Sequence, residues 1–186
     1  MTRYALEQLP ANLPEPHDDG ACNHLLGKSL PAVSMDTTNE QSVSLINLKG
    51  KVVTFCYPRT GKPGVPSPKG WYQIPGARGC TPQACSFRDH YKEFSDLNVR
   101  VFGLSTQSKT YQKEAKQRLH LPFELFSDEA LHFAQQLQLP CFSVDGNTLI
   151  KRITLICLNG VIAKYFYPVF PPDKNIFDVL EWLKQN

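Results

Sequence analysis

Two cysteines stand five positions apart in the run Gly79-Cys80-Thr81-Pro82-Gln83-Ala84-Cys85, where a loop gives way to an amphipathic segment. Cysteine does chemistry as its thiolate. A helix N-terminus favours that anion, because its backbone N–H groups lack intrahelical partners and carry the positive end of the helix dipole. Thr81 reads as an N-cap and Pro82 as the first helical residue, since proline has a suitable φ and lacks only an N–H that the helix does not use there. Cys80 then falls at the helix start, with Arg78 and Arg88 near enough in sequence to add positive charge.

Beyond the pair, Ala84, Phe87, Tyr91, Phe94 and Leu97 recur at spacings of three and four with charged residues between them, so the helix is expected to run on through Cys85. In an unbroken helix, Cα atoms five residues apart are separated by about 8 to 9 Å. A disulfide spans at most about 7 Å. A bond between these thiols therefore requires the first turn to unwind, which would couple oxidation to a local order-disorder change. The competing reading is two buried, inert thiols, a common state for cysteine in protein interiors.

Six cysteines in all could suggest a disulfide framework, but their positions argue against one. Cys56 and Cys157 lie in apolar strand-like runs, Cys22 in a polar, loose N-terminal stretch, and Cys141 follows Pro140 in a loop. There is no Cys-x-x-Cys and no His or Cys pair at zinc spacing, so neither a metal nor another cofactor is expected. His90 is ten residues beyond Cys80 on the same helix, too far to serve it as a base.

A chain of 186 residues with 41% hydrophobic content can bury one good core. The net charge of +3, scattered among acids, gives no reason to expect a nucleic-acid partner. Met1 to Pro16 contains no apolar signal core and no run is long enough to span a bilayer, so a cytoplasmic protein without a membrane partner is expected.

Residues 1–23 show no periodicity and read as an N-terminal extension, with 24–186 forming a single domain. Ser29 to Ser34 and Ser42 to Leu45 suggest a hairpin, followed by a buried strand over Val52 to Tyr57. After the cysteine helix come a strand over Val99 to Ser105 and a helix over Ser108 to Leu119. A short strand over Phe123 to Phe126 and a helix over Asp128 to Leu139 follow. Strands Arg152 to Cys157 and Val161 to Tyr167 flank Asn159-Gly160, whose residues suit a type I′ turn, and a last helix covers Asn175 to Gln185. This order implies an α/β fold of the thioredoxin-like kind, a three-layer sandwich around a central mixed sheet with an N-terminal hairpin extension.

Four stretches carry a family resemblance: Gly27-Lys28-Ser29-Leu30-Pro31 with Leu48-Lys49-Gly50-Lys51; Tyr57-Pro58; Gly79 through Asp89; and Arg152-Ile153-Thr154-Leu155. The chain resembles peroxiredoxins of the peroxiredoxin Q or bacterioferritin-comigratory-protein type. The resemblance implies a thiol peroxidase acting on hydrogen peroxide or organic hydroperoxides, as a monomer or homodimer. It assigns Cys80 as the peroxidatic nucleophile and Cys85 as the resolving thiol. Arg152 matches the strand arginine that holds the thiolate and polarises the peroxide. The implied cycle passes from a Cys80 sulfenic acid to a Cys80–Cys85 disulfide, which thioredoxin or a similar dithiol reduces.

One position departs from the pattern. The family carries Thr or Ser three residues before the nucleophile, and here that residue is Ala77. Pro58 and Thr60 are separated from Cys80 by a Pro-rich insertion at about 61–77, which also holds Trp71 and Tyr72. Either the insertion loops out and Thr60 returns beside Cys80, or another group serves; Thr60 is the tentative choice. The insertion is expected to cover the mouth of the site or to make a surface or dimer contact. The altered hydroxyl position also leaves a second function open, a non-enzymatic redox sensor or binding module that uses the cysteine pair as a switch.

Overall fold

The computed structural model describes Leu9 and residues 12–186; the reading of 1–8, 10 and 11 as part of an extension lies outside the described residues. The strands are β1 (Ser34–Thr37), β2 (Ser42–Ser44), β3 (Lys51–Cys56), β4 (Val99–Ser105), β5 (Leu125–Ser127), β6 (Cys141–Val144), β7 (Asn147–Ile150), β8 (Ile153–Leu158) and β9 (Val161–Phe166). The helices are α1 (Cys80–Asp89), α2 (Tyr91–Asp96), α3 (Lys109–Leu119), α4 (His132–Leu137) and α5 (Asn175–Gln185).

A sheet in the order β2-β1-β5-β4-β3-β8-β9 forms the middle layer. The β3–β4 and β4–β5 pairs are parallel and the others antiparallel, so the sheet is mixed, as expected. Side chains alternate across β3. Val53 and Phe55 pack with Phe87, Phe94, Leu119 and Leu180 on one face, and Val52 and Cys56 pack with Leu25, Phe133 and Leu137 on the other. The outer layers follow from this alternation. Gly103 in β4 allows a close approach within the sheet: a Cβ there would lie 2.6 Å from Leu125 Cδ2 and 3.0 Å from Phe55 Cζ. Among the described residues, no helix is long and apolar enough to cross a membrane.

Several local expectations shift. The first hairpin begins at Ser34 rather than Ser29, whose only pairing is an isolated bridge to Val161. The cysteine helix breaks at His90, whose Nδ1 bonds Glu93 Oε1 at 2.7 Å, so two helices replace one. The helix expected from Asp128 starts at His132, because the Asp128 carboxylate accepts from the N–H groups of Phe133 and Ala134 at 3.0 and 2.8 Å and holds the preceding turn open. Cys22 is not loose but 1% exposed in the core beside Leu25.

The largest difference lies at Cys141, which opens a strand rather than a loop. β6 and β7 form a separate ribbon around Asp145 and Gly146, both at positive φ as in a type I′ turn. Its Val144 and Leu149 bury against Trp71 and Ala77 of the 61–77 segment, with Ile74 and Phe142 at the margin. This small core is separate from the two that sandwich the sheet.

Candidate active site

Cys80 is the first residue of α1, two positions earlier than the sequence suggested. Gly79 provides the cap conformation at φ 96°, and its carbonyl accepts the first helical hydrogen bond, from Gln83 N at 3.0 Å. No side chain fits there, since a Cβ would lie 2.4 Å from Pro172 Cγ and 2.8 Å from Leu9 Cδ2. Pro82 still sits within the first turn, where its missing N–H breaks no helical bond.

Cys80 is 3% exposed, and its sulfur receives a hydrogen bond from Arg152 Nη2 at 3.2 Å. The sulfur also contacts Ala77 O at 3.5 Å. Arg152 immediately precedes β8 and is itself 3% exposed. Its Nη2 donates to the carbonyls of Arg78, Gly76 and Ala77 at 3.0, 3.3 and 3.4 Å, and its Nη1 donates to Gln83 Oε1. A planar guanidinium held along both arms has little freedom to turn. Arg152 Nε is buried without a hydrogen-bond partner among the described residues.

Gln83, to which the motif assigns no role, carries a signal of its own: it precedes Phe87 by one helical turn on the apolar face of α1 and is fully buried there. Arg88 donates to Asp89 Oδ1 and Leu119 O, both at 2.8 Å, while the Arg78 guanidinium covers the Tyr72 ring at 4.5 Å. From Arg78, the site receives a carbonyl.

Cys85 lies on the same continuous helix as Cys80, 7% exposed, and no disulfide joins them. The structure brings Cys80 and Arg152 into contact, with Cys85 about a turn and a half further along α1. Thr60 is buried, but its hydroxyl donates to Gln107 Oε1 at 3.2 Å, and the same oxygen accepts Thr60 N at 2.8 Å. Elsewhere, burial pushes the Cys22 and Cys157 thiols up to about 12 and raises those of Cys56 and Cys141. Burial also holds the Tyr57 phenol neutral beside the site, where it donates to Gln112 Oε1 at 2.6 Å.

Residues 25–180 match the Redoxin family. The chain belongs to that family. It is 30% identical to the chloroplastic peroxiredoxin Q of Suaeda salsa over 85% of this chain and 67% of that protein. It is 33% identical to a bcp-type peroxiredoxin of Coxiella burnetii over 83% and 95%. This peroxiredoxin is of the Q/BCP type, a thiol peroxidase that reduces peroxides at the expense of a thiol reductant. The peroxidoxin BcpB of Mycobacterium tuberculosis shares its fold, with a TM-score of 0.70 at 23% identity over 87% of this chain and 98% of that one. The bacterioferritin comigratory protein of Xanthomonas campestris, studied for alkyl peroxide reduction, aligns with a TM-score of 0.66 at 18% identity, covering 84% and 95%. Both support the thioredoxin-like reading of the sheet and its covering helices.

Proposed function

We propose that the peroxidase reaction of this chain runs on Cys80, with Arg152 holding the thiolate and the peroxide, and with Cys85 resolving the product. The observation that carries this reading is the 3.2 Å contact between Arg152 Nη2 and Cys80 Sγ at the N-terminus of α1. The thiolate attacks the terminal oxygen of ROOH; the O–O bond breaks, and RO⁻ departs and takes a proton to become ROH. A fixed guanidinium lowers this barrier because negative charge develops on the departing oxygen. Cys80 is left as a sulfenic acid. Attack by the Cys85 thiol then forms the disulfide and releases water. An external dithiol of the thioredoxin kind, in a reducing compartment such as the cytoplasm, returns both thiols while becoming a disulfide itself.

On this reading the enzyme unit is 24–186, with 61–77 as an insertion and 1–23 as an extension. The proposed hydroxyl partner remains Thr60, which is buried four residues beyond the end of β3. Stopped-flow oxidation by hydrogen peroxide, followed by turnover with thioredoxin, tests these assignments. Cys80→Ser should abolish oxidation. Cys85→Ser should keep the first oxidation but lose turnover, and Thr60→Val should slow oxidation about a hundredfold, the lower end for removing one polar transition-state contact. A Cys80→Ser protein that reacts at the wild-type rate would overturn the nucleophile. Unchanged turnover in Cys85→Ser, or an unchanged rate in Thr60→Val, would remove that residue from the cycle.

A further inference from the structure

The chain ahead of the first core residues lies across the site. Cys22 and Leu25, 1% and 0% exposed, root it in the interior. Upstream of that root, Pro14 O accepts from Gly76 N at 3.3 Å, and Pro16 packs so closely on Gly76 that a Cβ there would lie 3.3 Å from Pro16 Cγ. The opposite side of the same peptide serves the nucleophile's partner, since Gly76 O accepts from Arg152 Nη2 at 3.3 Å. With φ fixed at both prolines, this strap is a stiff brace behind one of the carbonyls on which the guanidinium rests. All of it precedes residue 25, where the family match begins.

The strap reaches the backbone end of the same arginine through Asp19. Lys151 and Arg152 link β7 to β8 and belong to neither strand, so no ladder fixes them. Lys151 N bonds Pro140 O at 2.8 Å, and its side chain is held by the strap: Nζ donates to Asp19 Oδ2 at 2.7 Å, while Tyr167 Oη donates to Asp19 Oδ1 at 2.8 Å. Lys151 and Tyr167 hold the Asp19 carboxyl down at about 2, so its charge is present at neutral pH. Oδ1 also accepts from Ala21 N at 3.2 Å, which ties the carboxylate to the rooted turn. We propose that Asp19 is a positioning residue of the peroxidatic site: it fastens the strap to the Lys151–Arg152 link and thereby sets where the Arg152 guanidinium lies against the Cys80 sulfur. The proposal rests on the Cys80 and Arg152 reading above and adds to it a segment that touches no reacting atom.

The test measures stopped-flow oxidation by hydrogen peroxide, and the pH dependence of Cys80 alkylation by iodoacetamide, in Asp19→Asn, Lys151→Met, their double variant and Asp19→Glu. Asp19→Asn keeps an acceptor for Ala21 N, so the turn survives while the charge is lost. Each single variant should oxidise about fivefold more slowly, the upper end for one surface ion pair. Its Cys80 alkylation profile should move to higher pH, because a displaced guanidinium stabilises the thiolate less. The double variant should be no slower than the slower single one, since both remove the same contact, and Asp19→Glu should retain most of the rate. Hydrogen peroxide is uncharged, so salt does not act by steering it; about 1 M salt should slow the wild type and leave the double variant unchanged. Unchanged rates in the single variants, a slower rate without movement of the Cys80 pH profile, or losses that multiply in the double variant would overturn the role of Asp19. Failure of this role is distinguishable from failure of the underlying reading, because Cys80-dependent consumption of hydrogen peroxide survives the first and not the second.

Discussion

Arg152 and Gln83 form a buried polar pair on which the sulfur's surroundings depend. Gln83→Met keeps the side-chain volume but removes the acceptor for Arg152 Nη1, freeing the guanidinium to rotate off the sulfur. Gln83 acts through Arg152 rather than on the peroxide, so the expected loss in the oxidation rate constant is about tenfold, below the 10²–10³ typical of losing a direct transition-state donor. Stopped-flow oxidation measures it, and Gln83→Glu should recover much of the rate because it restores the acceptor, which a purely structural role would not require. The sequence points to Cys80, Cys85 and Arg152 through a family resemblance, but to Gln83 only through its place on an apolar helix face. The Cys80–Arg152 contact joins residues 72 positions apart, and no local pattern encodes that distance. A second residue-level outcome concerns alkaline pH. Cys22 and Cys157 titrate at about 12 in the fold against an ordinary 9.0. Each raised value favours the folded state fully below pH 9.0, and that contribution is lost as pH rises from 9.0 toward 12. Urea midpoints should therefore fall across that window, and Cys157→Ala should flatten the decline.

At the scale of elements, α1 is pinned at its outer side by the chain entering α5. Ser86 Oγ donates to Asp173 O at 2.8 Å, and Pro172 fills the space above Gly79. In the proposed cycle, resolution by Cys85 needs this helix to open, so Ser86→Ala should weaken the closed form by about 1 kcal/mol and raise the open population about fivefold. Rapid quench of sulfenic acid to disulfide would show the faster step, with the first oxidation unchanged. α1 starts two residues before the position that Thr81 and Pro82, good local signals, predict. The position is instead set by packing of Gly79 against Pro172, a tertiary effect that overrides propensity. The β6–β7 ribbon is a different kind of omission, since Asp145-Gly146, with Phe142 and Val144 before it and Leu149 and Ile150 after it, is a strong local hairpin signal. The Asn159-Gly160 turn carries the same chemistry, and there both residues take the expected positive φ.

For the whole molecule, the third small core joins the insertion to the ribbon, and each carries part of the site. Ala77 lies in that core and its carbonyl accepts from Arg152, while β7 leads directly into Lys151 and Arg152. Trp71→Ala should therefore reduce peroxidase activity more than tenfold. Its effect on stability should fall below the 3–5 kcal/mol of a central Trp or Phe truncation, because Trp71 lies outside both main cores. Parallel activity and urea measurements would separate the two. The sandwich was legible because alternating strands and periodic helices are local patterns, whereas contact between a Pro-rich loop and a ribbon about 70 residues later is not.

In the proposed cycle, the continuity of α1 between its two cysteines also sets a limit on dose. A sulfenic acid waiting for the helix to open is exposed to a second peroxide molecule, which converts it to the sulfinic state that thiols do not reverse. The protein then survives only while opening is faster than the second encounter. On that cycle, the contacts of Pro172 and Asp173 with α1, remote from any reacting atom, would fix the peroxide concentration at which the enzyme inactivates itself.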